Sequence, residues 1–263
     1  METRDSPKTI QSVERACHIL FSFSLEHPRW RMSELSESLG LHPSTVSRLL
    51  TTMKEMGVVK KDPVTQQYEL SLGILQLSRV VLSQLDLVKI TLPIMSALVE
   101  RCRESVFLVV LDGWETVTIA QVAAPRVFSP RPYTVGQHYQ ASAVSGGKLL
   151  LAHGPPCVVD QLIEEGLTAY TERTITSPQQ LLAELDKVRC QGYAVTDQEL
   201  EIGLVAVAAP IWDADNVAAA AISVSGPPDR VGHEHLPGFI AHVRETAEQI
   251  SGALGRPRAG GHQ

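Results

Sequence analysis

The chain has 263 residues, of which 44% are hydrophobic, 20% charged and only 5% aromatic, a composition that fits a packed core and excludes a disordered chain. The formal charge of −6 is uneven: residues 1–70 carry nine basic and nine acidic side chains, so the whole excess lies in the remainder. No apolar run approaches the ~18 residues of a membrane span, the first residues show no hydrophobic signal region, and Cys17, Cys102, Cys157 and Cys190 form no CxxC pair. These features argue against a membrane span, secretion, a disulfide framework and a structural zinc site, and give the expectation of a reducing cytoplasm. A neutral module joined to an acidic one predicts two domains with different partners.

The spacing of Val13, Ala16, Cys17, Ile19, Leu20 and Phe23 predicts a helix from Ser12 to about Leu25, interrupted at His27, Pro28 and Arg29. A short second helix follows, with Ser33 as its cap, Leu35 and Leu39 as its buried stripe, and Gly40 as its stop. A third helix is capped by Ser44 and turns Val46, Leu49, Leu50 and Met53 inward. Ser44, Thr45, Ser47, Arg48, Thr51 and Thr52 are left for its other faces. Small hydroxyl residues and one arginine suit a helix entering a major groove, because they permit close approach and the arginine can pair with guanine. A helical hairpin with a polar surface has the same signature. Val58 to Lys61 reads as a strand, Asp62-Pro63 as a turn and Gln66 to Leu70 as a returning strand. A basic hairpin behind such a helix is the wing of a winged helix-turn-helix, with Lys60 and Lys61 beside the phosphates.

Here the sequence resembles a known family. The runs QSVERA at 11–16, SEL at 33–35, LGL at 39–41, STVSRLL at 44–50 and YxLxxG at 68–73 are similar to those of the IclR-type bacterial transcriptional regulators. The resemblance extends over about residues 9–254. It implies a winged helix-turn-helix over 9–70, a linker helix over 71–85 and an α+β effector-binding domain of GAF/profilin-like fold over 86–254. Residues 255–263 read as a disordered tail.

The linker places Leu72, Leu75, Leu77, Val80, Val81 and Leu85 at helical spacings, more apolar surface than one intramolecular face requires. A second subunit or the chain's own second domain would cover it. A dimer supplies two recognition helices for a pseudo-palindromic double-stranded operator, and the resemblance implies homodimers, commonly paired into tetramers. Beyond Asp86 the expected order is a helix at Leu92–Cys102, then strands at Val106–Leu111 and Thr116–Val122 around an Asp112-Gly113 turn. A long Pro-rich loop over 123–140 reads as a binding loop or lid. Helices then follow over Ala141–His153, Val158–Glu165 and Pro178–Gln191, strands over Gly192–Thr196, Leu204–Ile211 and Val217–Val224, and a closing helix over His235–Leu254. Helices laid on one face of β-hairpins are the expected arrangement.

Enzymatic spacings are incomplete. Ser145-Gly146-Gly147-Lys148 matches SxxK, yet no SDN or KTG triplet accompanies it, and the same run lacks the glycine and hydroxyl of a P-loop. A serine hydrolase built on Ser145 and Lys148, with the first domain as accessory, is the competing class. Asp213-Ala214-Asp215-Asn216 fails as a calcium loop because Ala218 stands where glycine is required, and His233-Glu234-His235 is not HExxH. The expectation is no catalysis, no cofactor and no metal.

A binding reading fits better. Residues 143–148 resemble the family's TAxGK signature, Gly192 to Glu199 with Gly203 its GYAxDxEE…G block, and Ile222 to Pro227 places two serines on one face of a strand. The resemblance implies a pocket for a small organic acid, lined by Ser145, Gly146, Gly147, Thr196, Asp197, Ala206, Ser223 and Ser225. Thr196 stands where some relatives carry an acid and Ala206 where others carry cysteine, which favours a more hydrophobic acid, aromatic ones included. The implied function is a ligand-responsive regulator of a catabolic operon. Repression is the first expectation, although the resemblance implies regulators that act in both senses.

Overall fold

A computed structural model describes residues 10–84, 86–124 and 134–256. The chain divides into two compact units, with the boundary between residues 84 and 85.

In the first unit α1 spans Gln11–Phe21, β1 Arg29–Trp30, α2 Met32–Ser38, α3 Pro43–Glu55, β2 Val59–Lys61, β3 Tyr68–Leu70 and α4 Gly73–Gln84. Ile19, Leu35, Val46, Leu50, Met53, Val59 and Tyr68 pack into one core. The apolar residues of three helices thus meet a small antiparallel sheet of order β1-β3-β2. Helix α1 stops short of the expected Leu25 because the Trp30 indole N–H donates to the Ser22 carbonyl at 2.9 Å. Two expected caps are displaced. Ser33 lies inside α2, where the Arg31 amide donates to the Glu34 carboxylate at 2.7 Å. Ser44 lies inside α3, whose cap is His42; Nδ1 of that ring accepts the Ser44 amide at 3.3 Å. Pro43 lacks an N–H and suits the first helical position, which moves the start two residues earlier. Gly40, between α2 and α3, has φ of +61°, a conformation open to glycine at no steric cost. Strand β1 was not expected, since two residues carry no readable period.

Helix α4 presents Leu72, just ahead of it, and Leu75, Leu77 and Val80 to solvent, each more than half exposed. The side chains of Val81 and Leu85, placed in the same apolar set, lie outside the described residues.

The second unit contains α5 (Asp86–Cys102), β4 (Ser105–Asp112), β5 (Glu115–Val122), β6 (His138–Gln140), α6 (Ser145–His153), α7 (Pro156–Glu165), α8 (Pro178–Gln191), β7 (Ala194–Asp197), β8 (Val205–Trp212), β9 (Ala218–Gly226), α9 (Pro228–Val231) and α10 (Leu236–Ala253). The strands form one antiparallel sheet of order β6-β5-β4-β9-β8-β7. Helices cover both of its faces, not one. Val106, Leu108, Ile222 and Val224 share a core with α5 and α10, whereas Phe107, Val109, Ala208 and Ala221 face α6, α7 and α8. Apolar residues at both parities of the central strands are the reason.

The expected helix over Ala141–His153 is broken. A 3₁₀ turn at Ala141–Ala143 is followed by extended Val144, and α6 begins only at Ser145. Strand β6 takes the last three residues of the expected 123–140 loop, and residues 125–133 of that loop lie outside the described residues. The expected disorder from residue 255 begins too early. Arg256 stacks on Trp212 with its guanidinium 4.9 Å from the ring and donates to Asn216 at 3.1 Å. Residues 257–263 of that tail are likewise outside the described residues.

Candidate functional site

The break at Val144 creates a helix start in the middle of the second unit. Val144 has no side-chain oxygen to cap α6, so the first-turn amides of Ser145 and Gly146 stand without a side-chain acceptor. Gly146 lets this end approach β4, since a Cβ there would lie 2.5 Å from a Val109 methyl. Opposite it on β9, the Ser223 hydroxyl shares a hydrogen bond of 3.1 Å with that of Ser145.

A cavity opens at this point, with about 570 Å³ of empty space including its mouth. Ser145, Gly146, Thr196, Ala206, Ser223 and Ser225 line it together. Gly147 and Asp197 do not. A Cβ on Gly147 would sit 2.2 Å from the Ala141 carbonyl oxygen, so this glycine serves the fold-back of the 3₁₀ turn onto α6. Asp197 points to solvent and pairs with Arg173 at 2.6 Å, because alternate residues of a strand face opposite ways. Sequence reasoning missed the other walls. Phe107 and Val109 of β4 and Thr116 and Thr118 of β5 line the cavity at period two, a spacing that was readable in the strands. Tyr139, Val144, Leu200 and Leu204 complete it among the described residues, from segments too short to show a period. No charged side chain lines the cavity among the described residues.

Behind it lies a buried ion pair. Nζ of Lys148, a fully buried side chain, donates to both carboxylate oxygens of Glu199 at 2.6 Å. Burial holds the Glu199 pKa above the ordinary carboxylate value, against the opposing pull of the Lys148 ammonium. Glu199 sits in the β7–β8 connection that also carries Leu200 and Leu204. The pair therefore fastens that cavity wall to α6, one turn from Ser145. Thr174 and Thr171 secure the same segment by donating to the Glu199 and Gln198 carbonyls at 2.6 and 2.7 Å. This geometry also removes the Ser145–Lys148 hydrolase alternative: Lys148 is engaged by Glu199 and Ser145 by Ser223.

On the first unit, Ser44, Arg48, Thr51 and Thr52 of α3 are exposed, and Thr45 and Ser47 partly so. Arg48 makes no ion pair among the described residues. The Thr51 and Thr52 hydroxyls donate back to the Ser47 and Arg48 carbonyls at 2.8 and 3.1 Å, leaving lone pairs outward. The wing lysines are less free than their positions suggested. Lys60 pairs with Glu69 at 2.9 Å, Arg29 reaches the same carboxylate at 3.1 Å, and the Lys61 ammonium lies 5.4 Å from the Tyr68 ring centre.

The family model for the IclR helix-turn-helix domain matches residues 12–63, and that for the C-terminal domain of the bacterial transcriptional regulator IclR matches residues 79–252. The chain belongs to the IclR family. Among curated proteins it is 32% identical to the HTH-type transcriptional regulator KdgR of Escherichia coli (strain K12), over 95% of this chain and 94% of that one. It is 31% identical to the transcriptional repressor IclR of the same strain, over 95% and 92% of the two chains. A crystal structure of an IclR homolog from Microbacterium hydrocarbonoxydans, complexed with 4-hydroxybenzoate, matches with a TM-score of 0.79 at 24% identity over 92% and 98% of the chains. The IclR family consists of transcriptional regulators and not of enzymes, and its helix-turn-helix domain binds DNA. No helix among the described residues is long and apolar enough to cross a membrane.

Proposed function

We propose that this IclR-family regulator binds a pseudo-palindromic operator as a homodimer and releases it when a small organic acid occupies the cavity of the second unit. The observation that carries the reading is the uncapped start of α6 beside the Ser145–Ser223 hydroxyl pair, in a cavity whose described lining holds no charged side chain. Hydroxyls, backbone amides and the positive end of a helix receive a carboxylate without a buried countercharge. Phe107, Val109, Leu200 and Leu204 favour an acid with an apolar, aromatic body. A relative with 4-hydroxybenzoate bound in the same fold supports this class, and a relative named as a repressor supports the sense of regulation.

The acid acts by preferring one arrangement of the dimer, and a coupling of about 1–3 kcal/mol changes operator affinity roughly 5–150-fold. Selection of fragmented genomic DNA on the purified protein at near-physiological salt tests the first half. One palindromic sequence should emerge, and its recovery should fall when the cognate acid is added. Ser223→Ala combined with Ser225→Ala should keep operator binding and remove the response to acid. A normal response from that double variant would place the acid elsewhere.

A further inference from the structure

The cavity has a second polar end, distant from the serine pair. Thr118 of β5 is buried, with 5% of its surface exposed, and lines the cavity. Its amide donates to the Gln137 carbonyl at 3.1 Å, but its hydroxyl has no partner among the described residues. Neighbouring Thr116 differs, since its hydroxyl already donates to the Tyr139 carbonyl at 3.2 Å. A hydroxyl that faces the cavity and has no partner among the described residues is available to a hydrogen-bonding group of a ligand.

The sheet register sets the distance between the two ends. Thr118 pairs with Val109 across β5 and β4, Val109 pairs with Ala221 across β4 and β9, and Ser223 lies two residues further along β9. Two strand spacings across and two residues along put the Cα atoms of Thr118 and Ser223 roughly 12 Å apart. A hydrogen bond of about 2.8 Å at each end leaves about 6 Å for the ligand between them. That is the span from a carboxylate oxygen to a substituent oxygen across a benzene ring. Phe107 and Val109, on the strand between, supply the apolar floor for such a ring.

Building on the acid-binding reading above, we propose that Thr118 is a specificity-determining residue whose hydroxyl reads a second hydrogen-bonding group of the effector, para to its carboxylate. The effector is thus a hydroxylated or otherwise polar-substituted aromatic acid, held at both ends.

Benzoate and 4-hydroxybenzoate, titrated calorimetrically into the full-length protein, are the matched probes. The wild type should bind 4-hydroxybenzoate at least about tenfold more tightly than benzoate, in keeping with one ligand hydroxyl paired by a group placed to receive it. Thr118→Val should erase that preference while benzoate, which does not use the hydroxyl, binds much as before. Ser223→Ala should weaken both acids and keep their ratio. Equal binding of the two acids by the wild type, or a preference that survives Thr118→Val, overturns the assignment of Thr118. If neither probe binds but another acid releases the operator, the Thr118 inference falls and the acid reading stands. If no acid has any effect, both fall.

Discussion

Arg48 is the residue whose environment bears most directly on DNA recognition. It projects from the first half of α3, and none of the described residues forms an ion pair with its guanidinium. If it pairs with a guanine, Arg48→Ala should cost about 1–3 kcal/mol and relax preference at one operator position, measured by competition between operator variants. Uniform weakening on all sequences would assign it to a phosphate instead. Glu69 acts in the opposite direction. It binds both Arg29 and Lys60, and the Lys60 hydrogen bond holds its carboxyl below its ordinary pKa, so it stays ionised and neutralises the wing. Glu69→Gln should free two cations, tighten nonspecific DNA binding and steepen its salt dependence. Unchanged salt dependence would mean that the wing lies away from the phosphates. These residues show what was legible and what was not. The exposed hydroxyls and Arg48 could be read from helical spacing, whereas Glu69 could not, because its partners lie on two other strands. Asp197 was misplaced although strand alternation, applied from Thr196, would have turned it outward.

At the scale of elements, α6 and the β7–β8 connection form one construction. The sequence shows a single helix over 141–153, since no propensity marks Val144 as a break. The break follows from close packing: Ala141 folds back onto Gly147, leaving no room for a side chain. Gly147→Ala should therefore destabilise the protein more than Gly146→Ala, where the obstacle is a Val109 methyl and not backbone, with overpacking costs of about 1–3 kcal/mol for the milder variant. Thermal denaturation gives the order. The Lys148–Glu199 pair was also invisible, although both residues lie in motifs quoted from the sequence, because spacing does not show that they converge. Lys148→Met should cost about 3–5 kcal/mol by leaving a buried carboxylate unpaired, while Lys148→Met with Glu199→Leu should restore most of that stability. The sign of the pH effect follows from the raised pKa of Glu199. The native state binds its proton more readily than the unfolded chain does. This group therefore favours folding at acid pH, and that contribution is lost as pH rises through its raised pKa. Compared with the wild type, Glu199→Gln should lose the acid-side part of this dependence in denaturant titrations.

For the whole molecule, the division into a neutral DNA-binding unit and an acidic effector-binding unit was readable from charge and pattern. The sheet order was not, since β4 pairs with β9 across more than a hundred residues. The exposed apolar residues at Leu72, Leu75, Leu77 and Val80 support the proposed second copy. Leu75→Lys with Leu77→Lys should shift the protein toward monomer in light scattering and weaken operator binding, and a dimer that persists would move the interface off α4. One contact within the first unit gives that helix a further consequence. The first residue of α4, Gly73, rests directly on the Gly57 carbonyl in the turn that ends α3: a Cβ there would lie only 2.2 Å from that oxygen. Main chain bears on main chain, with no side chain between them to change rotamer and absorb displacement. A twist imposed on α4 from its far end would therefore bear directly on the end of α3, and even one methyl group at residue 73 would act as a wedge there.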